Sequence, residues 1–176
     1  MVSYDNTSKV LKGESDRGAV LIAAAMLELG LEKLLSMKLL PPTTTKDPIF
    51  DANGALGTFS SKIEMSYRLG VITKKQKEMF NIFRKIRNDF AHSADNISLA
   101  DSTIRNRLFA AIEGHEVKDA YFKQLRQLAP SLGMNASSIN NNSVSPRHLF
   151  ELIFGLEIQF LHIAQMSVVR VEEKVG

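Results

Sequence analysis

AVLIAAAMLELGLEKLL, residues 19–35, settles the fold class before any other stretch is read. Over its first three turns it is apolar nearly all the way round, and Glu28 and Glu32 are its first charged interruptions. A helix with one apolar stripe lies at a surface, whereas a helix apolar on every side belongs in the middle of a bundle. Ser15 is placed to cap this helix, Asp16 falls in its first turn, and Pro41-Pro42 stops it, so the pattern predicts a helix from Ser15 to about Leu40. The alanines Ala23 to Ala25 would let a second helix approach closely.

Working outward, the stretch PPTTTKDPIFDANGALG reads as a long connection, because proline, threonine, aspartate and glycine dominate it. A helix over Thr58 to Leu69 follows and ends at Gly70, a residue suited to the position just past a helix. Thr73 with Gln76 three residues on forms a capping box, opening a third helix whose apolar stripe is Met79, Ile82, Phe83, Ile86 and Phe90. Further helices are predicted over about Leu99 to Ile112 and Val117 to Ala129. Ser145-Pro146 then starts a last helix to about Val169, with Leu149, Leu152, Ile153, Leu156, Phe160 and Ile163 expected to face inward. No alternating strand pattern competes. The expected fold is all-α: one domain over 1–176, a bundle of five to six helices in an up-and-down arrangement. A polar segment at 1–13 and a polar loop at 130–145, open to motion, lie outside it.

A chain of 176 residues is long enough to bury a full core. It has no cysteine, which excludes disulfides, thiolate metal sites and a cysteine nucleophile. The N-terminal stretch has no apolar core of the secretory type, and the two most apolar stretches are broken by Glu28 and Glu32, and by Glu151, Glu157 and His162. A cytoplasmic protein without membrane contact is expected. The net charge of +3 is small, but its distribution is uneven. Eight basic residues (Lys62, Arg68, Lys74, Lys75, Lys77, Arg84, Lys85, Arg87) and two acidic ones (Glu64, Glu78) lie between 62 and 87. Within this band Lys74, Lys75, Lys77, Arg84 and Lys85 are the candidate contacts for RNA or DNA, and a solvated helix face is the plainer explanation.

Most catalytic templates are missing. There is no glycine-rich phosphate loop, no histidine pair one turn apart and no nucleophile elbow. His148 and His162 would stand about 21 Å apart along one helix, too far to share a metal, and His115, His148 and His162 read as surface or internally satisfied histidines. No metal and no cofactor is expected. SLADSTIRNRL has the serine-threonine pair and basic residues of a DNA-reading helix, but the preceding helix and tight turn of a helix-turn-helix are absent.

One motif carries chemistry. RKIRNDFAHS, residues 84–93, ends the third helix with Arg87, Asn88 and His92. On a helix, Arg87 and His92 point about 140° apart and sit about 7.5 Å apart along the axis. They can border one cleft, above all if a two-fold axis brings two such helix ends together. The chemistry that suits them is metal-independent RNA cleavage. Histidine would move the 2′-hydroxyl or leaving-group proton, arginine would stabilise the charge on the phosphorane, and Asn88 would orient either. The plain alternative is a charged helix end, with His92 favourable near the C-terminal dipole.

RNDFAH resembles the Arg-x4-His signature of the HEPN domains, small all-α bundles that dimerise and often cleave RNA without metal. By position, Arg87 and His92 would be catalytic and Asn88 supporting. Where many toxin members place a tyrosine two residues after the histidine, this chain has Ala94. A wider resemblance runs through ESDRGAVLIAAAMLE, GALGTFSSKIEMSYRLGVIT and FRKIRNDFAHS, which together are similar to the mannitol operon repressor family over residues 14–93. It implies an all-α bundle and a role in repressing a sugar-uptake operon, without a DNA-reading motif.

Three functions follow. The first is a regulatory protein of the mannitol-repressor type, repressing transcription through protein partners or through DNA contacts outside any known motif. The second is a HEPN-type endoribonuclease, a toxin or defence effector whose partner would be an antitoxin. The third is a catalytically silent interaction module. All three are compatible with a homodimer.

Overall fold

The structure, a computed structural model, describes residues 9–94 and 96–174. Six long helices carry it: α1 (Asp16–Lys38), α2 (Phe59–Arg68), α3 (Lys74–His92), α4 (Ser102–Ala111), α5 (Glu116–Leu128) and α6 (Pro146–Ser167). A helical turn over 9–12 precedes α1, and no strand occurs among the described residues. The fold is the all-α bundle that the periodicity predicts. Residues 1–8 of the expected polar N-terminal segment fall outside the described residues; of the remainder, Leu11 is fully buried.

α1 is the central helix. Ser15 caps it by accepting from the Gly18 amide, and Leu27, Leu31, Leu34 and Leu35 are completely shielded from solvent. It packs against α6, α3 and α2, while α3 in turn packs against α4. Ala23 and Ala24 are buried, and Gly30 takes the same role further along. A β-carbon on Gly30 would stand 3.1 Å from Leu161 Cδ1, and its carbonyl accepts from Gln165 Nε2 at 3.0 Å, so α6 rests directly on the α1 backbone.

Local chemistry places α2 and α3. Thr58 and Ser61 close a capping box at the start of α2. Its end is a Schellman motif: Gly70 adopts φ +68°, Val71 N donates to Ser66 O at 3.0 Å, and Gly70 N donates to Tyr67 O at 3.0 Å. Thr73 and Gln76 then box the start of α3. Met79, Phe80, Phe83, Ile86 and Phe90 fill the interior from α3, with Ile82 half-buried. Phe83 meets Phe154 of α6 at 3.7 Å between ring centroids.

Three details depart from the periodicity. The stretch 130–145 is polar, yet it holds three short 3-10 turns and buries Ile139 and Val144 against the core. α4 begins at Ser102 rather than Leu99. The largest departure is in α6. Leu149 and Ile153 face inward, whereas Phe160 is 44% exposed and Ile163 53% exposed, and Leu152 and Leu156 are only partly covered. The buried side of α6 is instead Phe150, Phe154, Glu157, Ile158 and Leu161. By length and apolarity alone α6 could cross a membrane, but half of that window is buried in the bundle.

Candidate functional site

The C-terminal half of α3 projects its polar residues away from the Phe83–Ile86–Phe90 stripe. Arg87 is partly buried, and its Nη1 donates to Asn88 Oδ1 at 3.1 Å, which fixes the guanidinium against the helix. His92, in the last turn, is exposed. Asp89 pairs with Arg107 of α4, and Arg17 Nη2 of α1 donates to the Ser93 carbonyl at 2.9 Å, so the end of α3 is tied to both neighbours.

Arg87 and His92 do not open on the same depression. Arg87 lines a cleft of about 280 Å³ with Arg84, Asn88, Glu28, Thr58 and Ser60. His92 lines a shallower hollow of about 590 Å³ with Asn88, Asp89, Ser93, Asp101 and Arg107. Asn88 borders both. Within one chain, the arginine and the histidine therefore flank Asn88 on either side of a ridge, as their angular separation on a helix requires.

Below the first cleft lies an ion cluster. Lys62 Nζ of α2 is 3.1 Å from Glu28 Oε1 and 2.7 Å from Glu32 Oε2 of α1. Burial pushes the Lys62 ammonium down, but hydrogen bonds to Glu32 and Glu28 and their charges outweigh it and hold it above its ordinary value. Glu28 thus reaches the cleft already bonded to a cation.

Much of the basic band is engaged internally. Lys77 bonds Glu64 at 2.6 Å and lies over the Tyr67 ring, Lys75 donates to the Gly114 carbonyl, and Lys74 is 3.8 Å from Glu78. Lys85 is exposed, and Arg84 is partly buried on the cleft wall. Of the five candidate nucleic-acid contacts, Lys74, Lys75 and Lys85 are exposed, and Lys77 and Arg84 are partly buried.

The other histidines are occupied or peripheral. His115 caps α5 through Nδ1, which accepts from Val117 N at 3.3 Å, and its Nε2 stands 3.0 Å from Glu157 Oε1. His148 is exposed beside the Tyr121 ring. Among the described residues, no cluster of three or more histidine, aspartate or glutamate side chains is placed to hold a metal.

Two sets of residues escape a reading of the sequence. One is the wall of the Arg84 cleft supplied by Thr58, Ser60 and Glu28, which only the packing of α1, α2 and α3 assembles. The other is a clamp at the start of α1. Arg147 of α6 bonds Asp16 Oδ1 at 2.8 Å, Glu151 Oε1 at 2.6 Å and the Glu14 carbonyl at 3.0 Å. Asp16 Oδ2 accepts from Ser98 Oγ and from the Leu99 amide, each at 2.8 Å. Burial alone would raise the Asp16 carboxyl, but the bonds from Leu99, Arg147 and Ser98 hold it below its ordinary value. Burial likewise opposes the Arg147 charge, and its bonds to Glu151 and Asp16 hold its pKa up.

No family model matches the chain, and no curated protein matches it. A solved structure does: the X-ray structure of the MtlR–HPr complex from Escherichia coli, with TM-score 0.59 and 16% sequence identity, covering 90% of this chain and 97% of that one. At this identity the likeness establishes the fold and nothing finer.

Proposed function

We propose that this chain is a regulatory protein of the mannitol-repressor type that acts by binding a protein partner. The observation that carries the reading is a fold shared over 90% of this chain with MtlR, which in that structure is bound to HPr. The resemblance of residues 14–93 to the mannitol operon repressor family points the same way. Direct DNA contact has less behind it, since Lys75 and Lys77 are engaged within the chain and a helix-turn-helix is missing from the sequence. Repression would then work through the partner. The experiment is isothermal titration of the purified chain with HPr from the same cell, supported by co-elution on size exclusion. Saturable binding is expected. Neither heat nor co-elution at high micromolar concentration would overturn the reading.

A second reading is metal-independent RNA cleavage by a dimer using Arg87, Asn88 and His92. It is favoured by one observation: Asn88 holds Arg87 in place and also borders the hollow that contains His92. A second copy packed across that ridge would bring the two groups to one phosphate. Cleavage of a mixed structured RNA in EDTA, lost in both Arg87→Ala and His92→Ala, is the expected result. Equal cleavage in wild type and variants removes the idea.

A further inference from the structure

We infer that the cleft between the start of α2 and the middle of α3 binds a small phosphate monoester, with Arg84 and Arg87 as its cationic clamp. This site stands apart from the partner-binding reading, and neither depends on the other.

The inference begins with Arg84. Its side chain is partly buried on the cleft wall, and its Nε is closed off from water without a hydrogen-bond acceptor. Among the described residues it has no carboxylate partner either. Other cations drawn into this bundle have an oxygen acceptor: Lys62 has Glu28 and Glu32, Lys118 has Glu113, Arg147 has Asp16 and Glu151, and the partly buried Arg17, Arg87 and Arg105 bond the Ser93 carbonyl, Asn88 Oδ1 and the Asn141 carbonyl. A partly desolvated guanidinium without a partner is unfavourable unless an anion is supplied from outside.

The surroundings fit an oxyanion. Arg87 lies one helical turn further along, on the same cleft. Among the described residues only its Nη1 is taken, by Asn88 Oδ1, and that bond preorganises the remaining donors of the fork. The opposite wall is the N-terminus of α2. There the capping box satisfies the Thr58 and Ser61 amides and leaves those of Phe59 and Ser60 as outward donors at the positive end of the helix. The Ser60 hydroxyl is exposed beside them.

Charge and size narrow the ligand. Glu28 lines the cleft but is bonded to Lys62, which it shares with Glu32. Three cations (Arg84, Arg87, Lys62) against two carboxylates leave an excess of one positive charge, which suits a dianion better than a neutral or cationic group. Two arginine forks match the oxygens of a tetrahedral phosphate in geometry. A volume of about 280 Å³ admits the phosphate and a short organic chain, but no long polymer. His92 opens on the other side of Asn88, so the cleft holds no histidine, and the one carboxylate on its wall, Glu28, is bonded to Lys62.

The test uses the full chain at constant ionic strength, titrated with inorganic phosphate and with glycerol phosphate, chloride serving as the control anion. Two-dimensional amide NMR should show saturable shifts centred on Phe59, Ser60 and Arg84, and both phosphates should raise the melting temperature. Arg84→Gln and Arg87→Gln should each weaken binding about tenfold or more. Lys85→Gln, an exposed neighbour outside the cleft, should bind as wild type. Arg84→Gln should melt no lower than wild type without phosphate, because it removes an unpartnered charge, and so it reports on binding and not on folding. Arg84→Lys guards against an unfolded variant and should retain part of the affinity. Wild-type affinity in Arg84→Gln, equal weakening in Lys85→Gln, shifts that never saturate, or binding of free phosphate with exclusion of glycerol phosphate would each overturn the proposal.

Discussion

His115 Nε2, at the N-cap of α5, lies 3.0 Å from Glu157 Oε1 of α6, and both residues are almost sealed from solvent. Because Nδ1 accepts the Val117 amide, the ring proton resides on Nε2 and is donated to the carboxylate. The second oxygen of Glu157 accepts from Gln76 Nε2 at 2.9 Å, and Gln76 is itself half of the α3 capping box. One buried carboxylate thereby joins the starts of α3 and α5 to the middle of α6.

The consequence of removing that carboxylate is calculable in sign and size. Glu157→Ala would leave the His115 N–H and the Gln76 amide buried without acceptors, so a loss of about 2–4 kcal/mol is expected in urea unfolding. Glu157→Gln keeps an acceptor for one donor and should cost less. A near-neutral Glu157→Ala would refute the account. Nitrogen NMR of the ring should report the tautomer protonated on Nε2.

The Asp16–Arg147 clamp makes a pH-dependent prediction. The folded carboxyl is held below its ordinary value, so Asp16 binds its proton more weakly in the native state than in the unfolded chain. Its contribution to stability is complete above the unfolded value of about 4 and fades as pH falls through the lower folded value. Asp16→Asn should cost about 1–3 kcal/mol at pH 7, since it also strips Arg147 of a partner. The gap between variant and wild type should narrow steadily below pH of about 4. A gap that is constant with pH would show that the charge on Asp16 contributes nothing.

The same clamp explains one limit of what the sequence tells. Helix starts that depend on neighbours three residues away are legible: Ser15, Thr73 with Gln76, and Ser145 all cap the helices that the pattern assigns to them. The start of α4 is not. Periodicity opens it at Leu99, but the Leu99 amide is captured by Asp16, 83 positions earlier, and Asp101 accepts from the Ser98 amide, so the helix begins at Ser102. Likewise Arg87, Asn88 and His92 are legible as a polar cluster, because a helix fixes their relative angles. That Arg87 shares its cleft with Arg84, Thr58 and Ser60 depends on how α2 and α3 pack, which no local spacing encodes.

α6 illustrates a second limit and gives a stability prediction. It is apolar on most of its circumference, so periodicity cannot say which side is covered. The structure buries Phe154 to 2% exposure and leaves Phe160 at 44%. Phe154→Ala should therefore cost about 3–5 kcal/mol through the lost Phe83 and Phe150 contacts. Phe160→Ser and Ile163→Ser should each change stability by about 1 kcal/mol or less. Chemical denaturation of the three variants decides it. Large losses at Phe160 or Ile163 would mean that this face is covered in solution.

The Arg87 and His92 side chains allow fold and function to be separated. His92 is exposed, and among the described residues the single hydrogen bond of the Arg87 side chain is to its neighbour Asn88, so neither side chain joins one described helix to another. Arg87→Ala and His92→Ala should shift the unfolding free energy by no more than about 0.5 kcal/mol. Any RNA cleavage that disappears in both variants is then a loss of chemistry, and under the nuclease reading product ends should carry a 2′,3′-cyclic phosphate in EDTA. The partner-binding reading expects the opposite pattern. RNA remains intact with wild type and variants alike, while HPr binding by His92→Ala stays within about threefold of wild type, since most single exposed side chains contribute little to a protein interface. Cleavage with normal HPr binding would make the chain bifunctional, and loss of HPr binding in His92→Ala alone would place the partner surface at the end of α3.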